Sequence, residues 1–298
     1  MNECSGVLIV DKPAGMTSHD AVNIMRKLYN TKKVGHTGTL DPMATGVLVI
    51  LIGRAAKAAE YLVSDEKKYE AGLLLGKKYD TGDITGNLTE ESSDIPEKEK
   101  VLSCIGSFKG KGQQIPPMYS ALKVDGQKLV NLARKGIEVE RKPRDIEIYS
   151  IDAAGDGKEY KLKVHCSKGT YMRTLCEDIG EKLSCPSTMS SLRRTASGGF
   201  DIKNSYTIDA LREMDDETKE KILLPTESLF EELPIVKLPD FFVRLSRSGQ
   251  QVYQKKIGCK YELGRRVRLY DNNGFYGLGE VSDYPEGSAI KTIKQFVL

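Results

Sequence analysis

The run Gly35 to Gly46, GHTGTLDPMATG, gathers residue types that chemistry draws on: glycines, threonines, a histidine, a proline and a single carboxylate. Its glycines let another chain come close to the backbone. Asp41 stands directly before Pro42, which biases it towards an extended conformation. A lone carboxylate on a stiff loop at the mouth of a sheet can serve as a nucleophile or a general base. The same spacing also suits a turn aspartate bonded to its own backbone. It is not a phosphate-cradling loop, because the Gly-Lys-Ser/Thr ending is missing. A zinc site is not expected, since the six cysteines show no CxxC spacing and there are only three histidines.

Periodicity indicates what must hold this loop. Val47 to Ile52 is a continuous apolar run, the mark of a buried strand, and Gly6 to Val10 reads as another. Between them Ser18 caps a helix whose apolar face is Ala21, Val22, Met25, Leu28 and Tyr29. An alanine-rich helix follows from Arg54 to Val63. Tyr69, Ala71, Leu73 and Leu75 alternate, as do Tyr160, Leu162, Val164 and Cys166, so both segments are half-buried strands. Strands and helices mix without a regular strand–helix repeat. The class is therefore α+β, with a long mixed, mainly antiparallel sheet flanked by helices. Beyond Pro234, short strands at Phe242 to Leu245 and Arg266 to Tyr270 surround an Asn273-Gly274 hairpin signal, giving a small β-rich domain. The expected division is 1–233 and 234–298.

Net charge is only +3, but its distribution is uneven. Val101 to Asp145 carries nine basic and four acidic residues, and Ile235 to Leu298 carries eleven against six. Between them, Thr207 to Glu232 has three basic and nine acidic. Two basic regions parted by an acidic one suit a polyanion held at two places. Alternating surface charge alone gives the same counts. No apolar run approaches the ~20 residues of a membrane span, and a secretory leader is not seen. A reduced, soluble, cytoplasmic protein is expected.

The segment GHTGTLDPMATGVL closely resembles the catalytic motif of the TruB family of pseudouridine synthases. Other segments resemble the family in order along the chain: GVLIVDKPAGMT from Gly6, Lys68-Tyr69-Glu70, and the run from Asp80 to Gly86. QIPPMYSALKVDG from Gln114, KGTYMRT from Lys168 and Leu192-Arg193-Arg194-Thr195 complete the set. The resemblance implies a pseudouridine synthase fold, an RNA-gripping insertion over about 109–145 and a C-terminal PUA-like RNA-binding domain. It implies isomerisation of the T-loop uridine of tRNA, position 55, by flipping the base, breaking its glycosidic bond and rejoining it through C5. A tRNA T-arm is the expected partner; no cofactor, no membrane and no obligatory protein partner is expected, and the chain is expected to be a monomer.

Residue by residue, Asp41 matches the catalytic carboxylate, acting as nucleophile on sugar or base or as a base at the sugar. Arg173 matches the arginine paired with it, and Tyr69 the tyrosine stacked on the flipped base. Tyr171 and Leu192 match pocket-wall contacts to the target nucleotide, and His36 a contact to the RNA near it, with Lys12 among the substrate contacts as a support for the loop. Tyr119, Lys123, Lys128 and Arg141 lie on the gripping insertion. Ordinary roles exist for each: core packing for Tyr69, Tyr171 and Leu192, a structural donor for His36, solvated surface for Arg173 and the insertion. A non-catalytic RNA chaperone or binding module is the competing function, and a related synthase acting on another RNA is a third. Ser191 departs from the family, which often has an aromatic there.

Overall fold

The apolar and alternating runs assemble into one ten-stranded mixed sheet in the computed structural model, which describes residues 4–62, 66–120, 122–124 and 126–297. Its spatial order is Tyr206–Thr207, Gly6–Lys12, Thr45–Ile52, Ser187–Ser197, Lys67–Leu75, Glu159–Cys166, Arg144–Asp156 and Gly110–Gln114. Val34–His36 and Phe200–Asp201 pair alongside this path. Neighbours are antiparallel except at two places, one of which decides where the site forms. Thr45–Ile52 meets Ser187–Ser197 in parallel over two residue pairs, Arg193 with Thr45 and Arg194 with Gly46. Residues 39–41, just before that short contact, Leu192 beside it and Arg194 within it line a cleft.

The continuous apolar run has a physical cause. Leu48, Ile50 and Ile52 face the helix Ser18–Leu28, while Val47, Val49 and Leu51 face the other way onto Leu229, Phe230, Leu278 and Phe296. Covered on both sides, the strand has no polar face to alternate. Each such side chain contributes ~1.5–3 kcal/mol on burial. Lys67–Leu75, next but one in the sheet, keeps one face partly open and alternates accordingly. Its inner face packs on the helices Lys98–Gly106 and Met172–Leu183.

Three local expectations are corrected. The cap of the first helix is Thr17, not Ser18: Thr17 Oγ1 accepts from the Asp20 N–H, and the Asp20 carboxylate returns a bond to the Thr17 N–H. The alanine-rich segment is a 3-10 helix, Gly53–Tyr61, and Val63 lies outside the described residues. Phe242 to Leu245 is not a strand but part of the helix Asp240–Arg247. Pro239 stands at its N-cap, and Val243 and Ser246 are buried three residues apart, the spacing of a helical stripe.

Beyond residue 234 a second, five-stranded sheet runs Ile235–Lys237, Arg266–Asp271, Gly274–Ser282, Ala289–Gln295, Val252–Tyr253. Arg268 donates to the carbonyls of Leu233 and Glu231 and pairs with Glu227 at 2.7 Å. Arg266 donates to the Tyr61 carbonyl, and the Tyr61 hydroxyl to that of Ile293. With Leu278 and Phe296 in the shared apolar cluster, these bonds fasten the second sheet onto the back of the first.

Candidate active site

Residues 37–44 cross the mouth of the cleft, between Val34–His36 and Thr45–Ile52, and buried polar side chains grip them from below. Arg194 is 1% exposed. Its guanidinium donates to the carbonyls of Val47 at 2.7 Å, Gly38 at 3.0 Å and Thr39 at 3.4 Å. Lys12 is 0% exposed and donates to the carbonyls of Pro13, Met16 and Pro42. Ser18, freed from capping, donates to the Leu40 carbonyl and accepts from the Leu40 N–H, pinning the loop to the first helix. Gly46 is required for this approach. Its φ is +101°, and a Cβ there would stand 2.2 Å from the Arg194 carbonyl oxygen.

Asp41 rides on this fastened loop. From the other wall Arg173, 5% exposed on the first turn of Met172–Leu183, donates to Asp41 Oδ2 at 3.0 Å. Arg173 also donates to the carbonyls of Tyr119 at 2.6 Å and Thr81 at 3.0 Å, and its Nε lies 3.9 Å from Asp83 Oδ2. Asp83 in turn accepts from the hydroxyls of Thr81 and Thr85. The guanidinium therefore sits between two carboxylates with its fork directed by main-chain oxygens, which fixes the Asp41 carboxylate.

Burial raises the Asp41 carboxyl above the usual range, Arg173 opposes the shift, and Asp83 adds to it. Burial also draws Lys12 down to about 8, with Asp41 pulling the other way and Arg194 pushing with it. His36 is lowered by burial and by Arg194, which favours its neutral ring. Burial pushes the Tyr171 phenol up.

A cavity of about 290 Å³ opens over Asp41, and Arg173, Tyr69, Tyr171 and Leu192 wall it with Leu40. Tyr69, opposite Arg194 in the strand register, is 8% exposed. Of the residues expected from the sequence, Asp41, Tyr69, Arg173, Tyr171 and Leu192 thus converge. A carboxylate, two phenols and a cation around a pocket of this size can enclose one planar polar ring.

Lys12, expected among the substrate contacts as a support for the loop, is fully buried and spends its ammonium on three carbonyls of that support; it does not line the cavity. His36 is not a wall of the cavity; it pairs with Ile50 in the sheet, with its Nδ1 buried and unbonded. Tyr119 reaches the site through its carbonyl. Lys128 lies exposed on the short hairpin of the insertion, and Arg141 bonds the Pro116 carbonyl and Glu138. Lys123 stands on the opposing strand of that hairpin; its side chain lies outside the described residues. Arg194, Asp83 and Gln114 are structurally decisive yet had no role assigned from sequence, and Ser18 had only that of a helix cap. Arg194 and Asp83 fell inside recognised segments, but an arginine or aspartate in a polar run reads as surface. Among the described residues no group of three or more His, Cys, Asp or Glu is placed to hold a metal ion, and no helix is long and apolar enough to cross a membrane.

Residues 26–172 match the model of the TruB family pseudouridylate synthase N-terminal domain, and 173–231 that of the tRNA pseudouridylate synthase B C-terminal domain. The chain is 44% identical to the tRNA pseudouridine synthase B of Clostridium tetani, over 93% of this chain and 95% of that protein. For its Clostridium kluyveri namesake the figures are 42%, 98% and 99%, and for that of Escherichia coli K12 they are 38%, 94% and 92%. Among solved structures, a chain of the crystal structure of a Cbf5-Nop10-Gar1 complex superposes with a TM-score of 0.75 at 27% identity, over 98% of this chain and 85% of that one.

Proposed function

This chain belongs to the TruB family of pseudouridylate synthases and isomerises uridine in tRNA to pseudouridine; from that premise we propose that it acts on the T-loop uridine at position 55, with Asp41 as its catalytic carboxylate. The observation that carries this reading is the Asp41–Arg173 contact of 3.0 Å at the floor of a cavity walled by two tyrosines.

The reaction gains and loses no atoms. The N1–C1′ bond breaks, the uracil turns, C5 bonds to C1′, and the proton leaving C5 is balanced by one arriving at N1. Asp41 acts by attacking the sugar, attacking the base, or taking a proton from the sugar, and each role needs its ionised form. Arg173 holds that form against the upward pull of burial. The freed base must not escape, which an enclosing pocket prevents. Tyr69 stacks on the flipped ring and helps move the C5 proton, with Tyr171 and Leu192 as walls. His36, at the rim of the loop, contacts RNA beside the flipped nucleotide.

Residues 1–233 form the catalytic domain and 234–298 a PUA-like RNA-binding domain. The insertion grips the T-arm by phosphates and shape through Tyr119, Lys123, Lys128 and Arg141. The enzyme works as a monomer in this reading, in the cytoplasm with its tRNA.

The test is conversion of a T-arm stem-loop by purified protein with neither metal nor nucleotide added. Wild type should complete turnover, and Asp41→Asn should form no pseudouridine while binding the RNA with wild-type affinity. Undiminished product from Asp41→Asn would leave a role in RNA binding alone for this carboxylate.

A further inference from the structure

At the neck of the insertion, one side chain is bonded as if it were backbone. Gln114 ends the edge strand Gly110–Gln114, pairs across it with Arg144 where the insertion returns, and is 4% exposed. Its Nε2 donates to the Tyr171 carbonyl at 3.3 Å, and its Oε1 accepts from the Tyr171 N–H at 3.0 Å. A carboxamide matches a peptide group, donor to acceptor and acceptor to donor. The pair thus extends the sheet edge by one rung onto Tyr171.

Tyr171 is the N-cap of Met172–Leu183 and caps it with no side-chain bond of its own. Its position is therefore set from outside the helix, and two residues on is Arg173, the partner of Asp41. Arg173 is tied to the insertion a second time through the Tyr119 carbonyl. Both ends of the segment 114–119 thus hold the wall that faces Asp41.

We propose that Gln114 is a positioning residue: its carboxamide, paired with the main chain of Tyr171, couples the neck of the insertion to the cavity wall and to the Asp41–Arg173 pair. Resting on the reaction proposed above, this means that the neck already holds Arg173 in line with Asp41 in the free protein. An RNA that displaces the neck pulls Arg173 out of line, so a poorly fitting RNA reacts slowly.

Two substitutions separate positioning from mere packing. Gln114→Leu keeps the size and removes both bonds. Gln114→Glu keeps the shape: ionised, it accepts from the Tyr171 N–H but faces the Tyr171 carbonyl without a hydrogen. Protonated, it donates to that carbonyl and restores both bonds; burial raises its pKa, and Arg144, paired with position 114 across the strand, opposes the rise. Single-turnover rates at saturating stem-loop should fall about 10²-fold in Gln114→Leu, as expected for a misplaced catalytic group, with RNA affinity within about threefold of wild type. The rate of Gln114→Glu relative to wild type should climb about tenfold as pH falls from about 8 to about 5.5. In the free protein, the Tyr171 amide should exchange with solvent faster in Gln114→Leu than in wild type.

A ratio flat with pH, or a Tyr171 amide equally protected in both proteins, overturns the proposal. The Gln114→Glu ratio decides even where Gln114→Leu fails to fold. Failure of wild type to convert the stem-loop would strike the proposed substrate instead, and amide exchange still judges Gln114 on its own.

Discussion

Residues 37–44 and residues 115–142 face each other across the cavity, and the chain fastens them by different means. The first segment carries Asp41 and is held from below by Lys12, Arg194 and Ser18, whose polar atoms end on loop carbonyls and one N–H. The second is tied at its neck, through Gln114 and the Tyr119 carbonyl, and at its base, where Arg141 bonds the Pro116 carbonyl. Between those ties it has a small apolar anchor, Leu129 and Leu132, and an outer surface bearing Lys128, Arg134 and Lys135. Buried cations preorganise the side that carries Asp41, whereas exposed cations sit on the side proposed to meet RNA. The position of charge relative to solvent separates the two roles.

The sharpest way to break this contrast is to remove the deeper cation. Arg194→Met retains most of the apolar volume but strands the carbonyls of Val47 and Gly38 without donors. Leaving buried polar partners unpaired should cost about 3 kcal/mol, read as a lower denaturant midpoint. Isomerisation should fall at least about 10²-fold because the loop beneath Asp41 relaxes. A variant that lost neither stability nor rate would mean that the loop holds its shape unaided.

Arg194 also marks the limit of what the sequence discloses. The loop bearing Asp41, the tyrosines of the cavity wall and the arginine paired with Asp41 were legible because several ordered segments resemble one family. The main strands were legible from periodicity, and the doubly covered run at 47–52 from its lack of it. The side chains beneath the loop were not. Arg194 alternates along a strand like any surface arginine, and only the parallel contact with Gly46, between residues 148 positions apart, turns it inward. Phe242 to Leu245 failed for a related reason: a short apolar run has no period of its own, and Pro239 decided for the helix. Ser18 lost the cap to Thr17 because the reciprocal bond needs Asp20 at the right offset.

A smaller effect sharpens the electrostatics of the chemical side. In the proposed mechanism Asp41 acts ionised, and its pKa is raised, so wild-type rate should decline on acidification at a pH above the ordinary aspartate value of about 3.9. Asp83 contributes to that upward shift through its like charge. Asp83→Asn removes the repulsion, lowers the Asp41 pKa and so moves the acid limb of the pH–rate profile to lower pH. The plateau should also drop, since Arg173 loses the carboxylate beside its Nε. A limb that stays in place while the plateau drops would confine Asp83 to holding Arg173.

On the gripping side the effects should be smallest and of another kind. Lys128 and Arg134 are exposed and do not line the cavity. Lys128→Gln and Arg134→Gln should leave the single-turnover rate at saturating stem-loop unchanged and weaken binding. Removing one cation from a phosphate should flatten the dependence of log affinity on log salt by about 0.7–0.9, the signature of one fewer counterion released. Arg134→Gln combined with Lys128→Gln should flatten it by the sum, since exposed charges act independently. If either variant lowered the saturated rate and left the salt slope alone, the division between a preorganised floor and an electrostatic grip would fail. That cation would then act on alignment, as Arg194 does from beneath the loop.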